Sequence, residues 1–477
     1  MQLILLLGQA LNLFAADLPQ IDIQKVIELC LKNNIDVEIS RLDHRLAKNE
    51  IEASSLDFDY FLTTAYEAKR DTTIANLTYD HKTYEERTTG PSIGIKNKII
   101  WGIDWEASLQ VLKIRSSSKV AFAKSRYQSA AQIKIEVPLL KEFGKRYTAN
   151  RYYKAKNKYS RYRFNKFDKA NDESFKAIKS YLDVLKEMAI LEKRKADLNY
   201  SEKIYDFDKR KWKVGKKSKT DLLRTKSQIY KKRSLLFNQK VKVENALIDL
   251  SLILYRGDKQ IHASQIDNAV LEDDFPSFGE HRRDLKKSYK LLATSFEIKE
   301  VEEDLYKGKR ESLPELKIEA TGSASSIAKK WQRSVDKIFG VDFPSWSLAL
   351  NFSYPFGAHA ASAEVTANTA KLNSLREREK SEYHKDLQKI GALSFDLYKE
   401  LDKIARVEEQ IKLQSLALEY REKAYYLRKI SSLELVEEQN GLAALTEELT
   451  KTKVSYLKKY YEVKKIENSL LSSSAVN

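Results

Sequence analysis

The sequence predicts a mainly α fold with β, laid out as one plan used twice, in which strands feed very long helices. Three observations carry that reading. Only 14 glycines and 7 prolines punctuate 477 residues, too few for a fold of many short elements. Two strand-like segments that end in Pro and Gly recur 217 positions apart, from Pro138 to Pro355, and each precedes a long run of helical pattern. The remaining helical pieces pair into two composites that match the long runs in length.

The chain opens with an apolar stretch, Leu3 to Ala16, that ends in small residues before Asp17. This is the pattern of a secretory signal peptide over residues 1–16, cut after Ala16. A helix is expected over 22–57. Strand candidates follow at 58–68, 92–100, 103–114 and 128–138. After Gly144 a long helix runs to about Val214, with Ile178, Leu182, Leu185 and Ala189 on one stripe and Tyr181, Val184, Met188 and Leu191 on the next. Two adjoining apolar stripes suit a helix packed between two neighbours. A helix over 219–254 closes the first repeat, 17–254, and an irregular linker over 255–280 follows. The second repeat, 281–470, offers a helix at 281–309, strands at 314–325 and 345–356, a long helix from Gly357 to about Lys429 and a last helix at 432–470, before a tail of 471–477. Each long run of about 70 residues would measure roughly 105 Å. The pairs 22–57 with 219–254, and 281–309 with 432–470, each match that length when stacked end to end.

The strand segments alternate. Ile133, Ile135 and Val137 interleave with Gln132, Lys134 and Glu136. Trp346, Leu348, Leu350, Phe352 and Tyr354 interleave with small or polar residues. In "IDWEASLQV" the apolar Ile103, Trp105, Ala107, Leu109 and Val111 alternate with Asp104, Glu106, Ser108 and Gln110. That is the lipid-out, water-in pattern of an outer-membrane barrel strand. Tyr60, Trp101, Trp105, Trp346 and Tyr354 are placed to form interfacial girdles. Past the N-terminus no apolar run approaches the roughly 20 residues of a membrane helix, so strands would have to make any crossing.

Chemistry is sparse. The six histidines have no paired spacing, and no P-loop or dinucleotide fingerprint occurs. Cys30 is the only cysteine, which excludes an intrachain disulfide and a cysteine-rich metal site. The formal charge of +17 comes from Lys and Arg interleaved with Asp and Glu, as on solvated helix faces. A conduit that is not an enzyme, and that needs no ATP, metal or organic cofactor to assemble, fits these features. A non-catalytic basic coiled-coil scaffold is the alternative, and it does not account for the alternation in 103–111 and 346–354.

Four segments in order resemble the TolC-type outer-membrane channels of efflux and type I secretion systems. They are "IELCLKNNIDVEISRLDHRLAKNEIEA", the two strand-Pro-Gly-helix junctions, "VGKKSKTDLLRTKSQIYKKRSLLFNQKVKVENAL" and "SSLELVEEQNGLAALTEELTKTKVSYLKKYYEVKKIENSL". The resemblance implies long antiparallel α-helical barrel hairpins plus outer-membrane β-barrel strands, an internal two-fold repeat and a homotrimer with a large periplasmic portion. It also implies a periplasmic adaptor protein and an inner-membrane pump as partners, with the pump choosing the cargo. "VGKKSKTD" resembles the hairpin tip of the family, so Val214, Gly215 and Ser218 are expected to dock the adaptor. Lys216 stands where the family has Leu, and the second tip, "LRKISSLEL", has no glycine. Glu434 and Glu437 match the acidic constriction of the family, where threefold symmetry would give two rings of three carboxylates that favour bound cations. Asp221 and Tyr425 match its latch residues, and Arg428 and Lys429 lie beside its basic latch position. Residues 58–138 exceed the minimal strand pair of the family. Their 92–114 portion reads as an added hairpin centred on "IWGI", which either enlarges the barrel or lies outside it.

Overall fold

The computed structural model describes residues 20–77, 80–117, 125–255, 260–267, 276, 288–340, 343–354, 356–357, 359–427 and 429–471, with the side chains of 73–84 left out. The expected signal peptide, most of the linker, the start of the 281–309 helix, Arg428 and nearly all of the tail lie outside the described residues. In chain order the elements are α1 (Ile23–Asn33), α2 (Ile35–Ser55), β1 (Phe61–Leu77), β2 (Asp80–Lys98), β3 (Asp104–Ser116), β4 (Ser125–Pro138), α3 (Asn150–Lys213) and α4 (Lys219–Tyr255). They continue with α5 (Tyr289–Glu311), β5 (Glu315–Ala328), α6 (Trp331–Phe339), β6 (Phe343–Ser353), α7 (His359–Tyr426) and α8 (Ser432–Ile466). The two long helices hold 64 and 68 residues, or roughly 100 Å each.

The helix expected over 22–57 is divided at Asn34. Its backbone is extended there, and its side-chain oxygen accepts from the N–H groups of Asp36 at 2.9 Å and Val37 at 3.2 Å. Asn34 therefore ends α1 and caps α2, a role in which asparagine outperforms its own helix propensity. The nine-residue helix α6 has no counterpart among the expected elements.

The chain forms two compact units, each drawing on residues before and after 255–280. One holds residues 1–43, 163–293 and 379–477; the other holds 44–162 and 294–378. In the first, a helical unit, Ile178, Tyr181, Leu182, Val184 and Leu185 of α3 are fully buried in one cluster with Val26, Leu250, Leu254, Leu397 and Tyr456. Met188 and Leu191 pack against its edge. Residues of both stripes thus meet in one cluster. The two fully buried tyrosines of the cluster are satisfied: Tyr181 donates to the Asp267 carbonyl at 2.8 Å and Tyr456 to that of Pro276 at 2.7 Å.

The second unit carries one six-stranded antiparallel sheet in the order β1-β2-β3-β4-β5-β6. The "IWGI" turn joins β2 to β3, with Gly102 at φ +92°, a conformation that favours glycine. The 92–114 hairpin is therefore part of the sheet, inserted between β1 and β4. Beside the sheet, Ile298 and Val301 of α5 cluster with Leu372 and Leu375 of α7. Arg146 pairs with Glu303 at 3.0 Å and lies 4.3 Å from the Tyr306 ring centre. Arg310 donates to the carbonyls of Leu140 and Phe143 at 2.6 and 2.8 Å, which ties α5 to the segment that follows β4.

Candidate functional site

Directly opposed residues on neighbouring strands present their side chains to the same face. The register therefore sorts the sheet into two. One row reads Leu62, Ile95, Ala107, Ile133, Gly322, Trp346, and the row beside it contains Trp105, Ile135, Ala320 and Leu348. On the opposite face one row reads Phe61, Lys96, Glu106, Lys134, Thr321, Ser347. There Lys134 bridges Glu136 at 2.7 Å and Glu319 at 3.1 Å. One face is apolar and the other charged. The apolar face is left bare, with Trp346 at 84% exposure and Leu348, Leu350 and Phe352 also exposed. Tyr60 meets Trp105 edge-on at 6.3 Å. Trp101 stands apart from this face, in the β2-β3 turn against Phe143.

Among the described residues, the outer strands β1 and β6 each pair on one side only. They are sheet edges with free backbone donors and acceptors.

In the helical unit, α3 stops in a glycine cap. Gly215 has φ +70°, its N–H donates to Trp212 O at 2.9 Å, and Lys216 N–H donates to Lys211 O at 2.9 Å. That is the Schellman arrangement, which needs a left-handed residue at the position of Gly215. Val214 is exposed. Ser218 caps α4, accepting from Asp221 N at 3.1 Å and donating to its carboxylate at 2.9 Å. The second tip repeats the device, with Ser431 accepting from Glu434 N at 3.2 Å and donating to its carboxylate at 3.2 Å. Ser-x-x-acid begins both return helices, so Asp221 and Glu434 each serve a helix start.

Tyr425 is buried, and its hydroxyl donates to the Asp208 carboxylate rather than to Asp221. Asp208 is 0% exposed and also pairs with Lys217 and accepts from Thr225 Oγ1 at 3.1 Å. The Lys217 ammonium donates to Ser432 Oγ at 2.7 Å, and that of Lys211 lies 4.2 Å from the Phe207 ring centre and 4.9 Å from that of Tyr425. Burial, then the bond to Asp208, pushes the Tyr425 phenol up and keeps it a donor. The Asp208 carboxylate joins α3, α4 and α7, and Lys217 extends the group to α8 through Ser432. Asp221 and Tyr425 line a common cavity of about 610 Å³ with Lys211, Lys216, Lys217 and Arg224. Glu434, Glu437 and Lys429 are exposed outside it. Glu438 pairs with Arg421 at 2.9 Å.

Asp208, Lys217 and Lys211 escaped the sequence reading. One signal was present: Asp208 falls four residues after the buried Ile204, on the same helix face, so a carboxylate stands on an apolar stripe. Among the described residues no group of His, Cys, Asp and Glu could hold a metal, and no helix is long and apolar enough to cross a membrane.

A six-stranded sheet with one apolar and one charged face, in a chain with two helices of about 100 Å, defines a class: the fold is that of the TolC-type outer-membrane efflux channels. No protein-family model matches the chain, and no curated protein matches it in sequence. Solved structures do. The outer-membrane channel OprN superimposes with a TM-score of 0.67 at 11% identity, over 94% of this chain and 90% of its own. The CmeC outer membrane channel of Campylobacter jejuni gives 0.66 at 12% identity, over 95% and 86%. The open state of the MtrE outer membrane channel of Neisseria gonorrhoeae gives 0.65 at 12% identity, over 94% and 89%. Identities this low establish the shared fold.

Proposed function

We propose that this chain is the outer-membrane duct of a tripartite efflux or type I secretion system. It would pass substrate from an inner-membrane pump and a periplasmic adaptor to the exterior. The observation that carries this reading is the two-faced sheet with both edges open, on a fold shared with outer-membrane channels. Lipid satisfies no backbone group, so a sheet that crosses it must close on itself. Three copies, joined β6 to β1 of the next, would do that with three times six, or eighteen, strands. An even number of strands is the rule for such barrels, and eighteen leaves an aqueous channel. The strands β1 and β2 hold 17 and 19 residues, well beyond the roughly 9–11 that cross a bilayer. Their far ends would stand clear of the membrane.

In this assembly the chain needs no metal, nucleotide or organic cofactor and performs no catalysis. Val214, Gly215 and Ser218 would meet the adaptor. Glu434 and Glu437, three apart on an exposed face, would form two rings of three carboxylates at the mouth. Asp221, Tyr425 and the neighbouring Lys429 would hold the mouth closed, with Arg428 beside them in sequence. Fractionation combined with planar-bilayer recording tests the reading. The expected result is a detergent-resistant trimer in the outer membrane whose block by multivalent cations weakens in the double variant Glu434→Ala, Glu437→Ala. A soluble monomer would overturn the duct. A membrane trimer whose double variant blocks like the parent would move the constriction elsewhere.

A further inference from the structure

The helix α6 lies on the sheet at the end away from the long helices. Ser326 Oγ donates to the Ser334 carbonyl, and Ser334 Oγ donates to Tyr127 O at 3.2 Å. Ser326 opposes Ser129, two steps along β5 from Ala324 of the apolar face, and both serines have no exposed surface. The helix therefore covers the same face as Trp346 and Ile133, beyond the apolar band. Only Ser334 and Ile338 of α6 are buried. Trp331 at its start and Phe339 at its end stand exposed, the latter at 84%. Lys329, Lys330, Arg333 and Lys337 flank or ride on it, against a single acid, Asp336. Lys113 and Arg115 of β3 carry the same face outward, Lys113 Nζ lying 5.6 Å from the Tyr127 ring centre.

Aromatic ends, a basic solvent side and a small apolar contact are the marks of a helix that lies in a membrane interface. A purely structural clasp for the β5-β6 connection would need Ser334 and Ile338, but neither the exposed aromatics nor the excess of cations. Phosphates are what such a row of cations at headgroup depth can pair with. We infer that α6 and the adjoining end of β3 form a binding site for phosphate-bearing lipid headgroups in the outer leaflet. The inference rests on the outer-membrane reading above, because it takes the apolar face as lipid-facing.

The test uses the full-length protein in neutral-detergent micelles and in phosphatidylcholine vesicles, titrated with bis-phosphorylated lipid A or its dephosphorylated form. Bound lipid is counted by native mass spectrometry. The parent is expected to retain the phosphorylated lipid, in a salt-dependent manner, and to discriminate against the dephosphorylated one. Each cation near an anionic surface changes affinity by about fivefold, so the variant Lys329→Gln, Lys330→Gln, Arg333→Gln, Lys337→Gln should lose at least about a hundredfold. All four side chains lie outside the buried contact, so the variant should fold. The corresponding lysine-to-arginine variant should bind like the parent. Equal retention by parent and Gln variant, or equal retention of both lipids, overturns the site while leaving the channel intact. If the parent fails to enter phosphatidylcholine vesicles at all, the outer-membrane reading falls and this inference with it.

Discussion

A carboxylate with no exposed surface must be held by donors, and Asp208 takes them from Tyr425, Lys217 and Thr225. Removing one partner of such a group is expensive because the other charge stays buried. Asp208→Ala, which strands Lys217, is expected to cost about 3–5 kcal/mol. Tyr425→Phe loses one hydrogen bond to a charged group, about 1.5–3 kcal/mol. Because the cluster joins the two tips of one protomer, both variants should also raise resting single-channel conductance. Loss of thermal stability with unchanged conductance would make the cluster a structural joint only. Gly215 makes a different demand. No atom crowds its α-carbon, yet its positive φ disfavours any side chain. Gly215→Val is therefore expected to leave trimer assembly intact while export falls; export at the parental rate would confine Gly215 to ending a helix.

The long helices were legible in the sequence because Gly and Pro are so sparse and because Ile178, Leu182 and Leu185 keep one stripe. The strand cores were legible from alternation that the register now explains. What escaped shares a physical reason. Residues 69–77 and 80–91 belong to β1 and β2 but have little apolar alternation, as the proposed duct expects of strand that stands clear of lipid. Asn34 breaks a helix through its own side chain, and α6 is too short for its period to show. Titration was hidden too, because burial is a property of packing. Burial, reinforced by Asp172, raises the Asp168 carboxyl of α3 to about 6, against the pull of Lys465 and Lys290, with Asp386 adding to the rise. The folded chain then holds a proton that the unfolded chain has released, so stability is full below the ordinary aspartate value and falls as pH rises to about 6. Asp168→Asn should remove that slope and raise stability near neutral pH by up to about 3 kcal/mol. Melting temperatures across this pH range check it: parallel curves for parent and variant would place the proton elsewhere.

At the scale of the whole molecule, the inserted β2-β3 hairpin would set the width of the pore in the proposed barrel. It adds two strands between β1 and β4, and barrel diameter grows roughly in proportion to strand number. Since β1 and β3 run one way and β2 and β4 the other, deleting Asp80–Ser116 lets β4 follow β1 with the up-down order kept. Three such copies would close with twelve strands instead of eighteen, and the cross-section would fall to roughly half or less. In a background whose tip is opened by Tyr425→Phe, the deletion is expected to lower single-channel conductance by about that factor. Closure itself can be read by engineered cysteines on β1 and β6. The native Cys30 is buried and its thiol is pushed up to about 12 by that burial, so it stays out of the reaction. Disulfides between copies, formed only when one cysteine sits on each edge, are the expected result. Edges that never cross-link would leave the sheet open, and a lipid-facing sheet with open edges is a structure the bilayer does not permit. Unchanged conductance after the deletion, with cross-linking intact, would put the narrowest point of the duct in the helical tips rather than in the sheet.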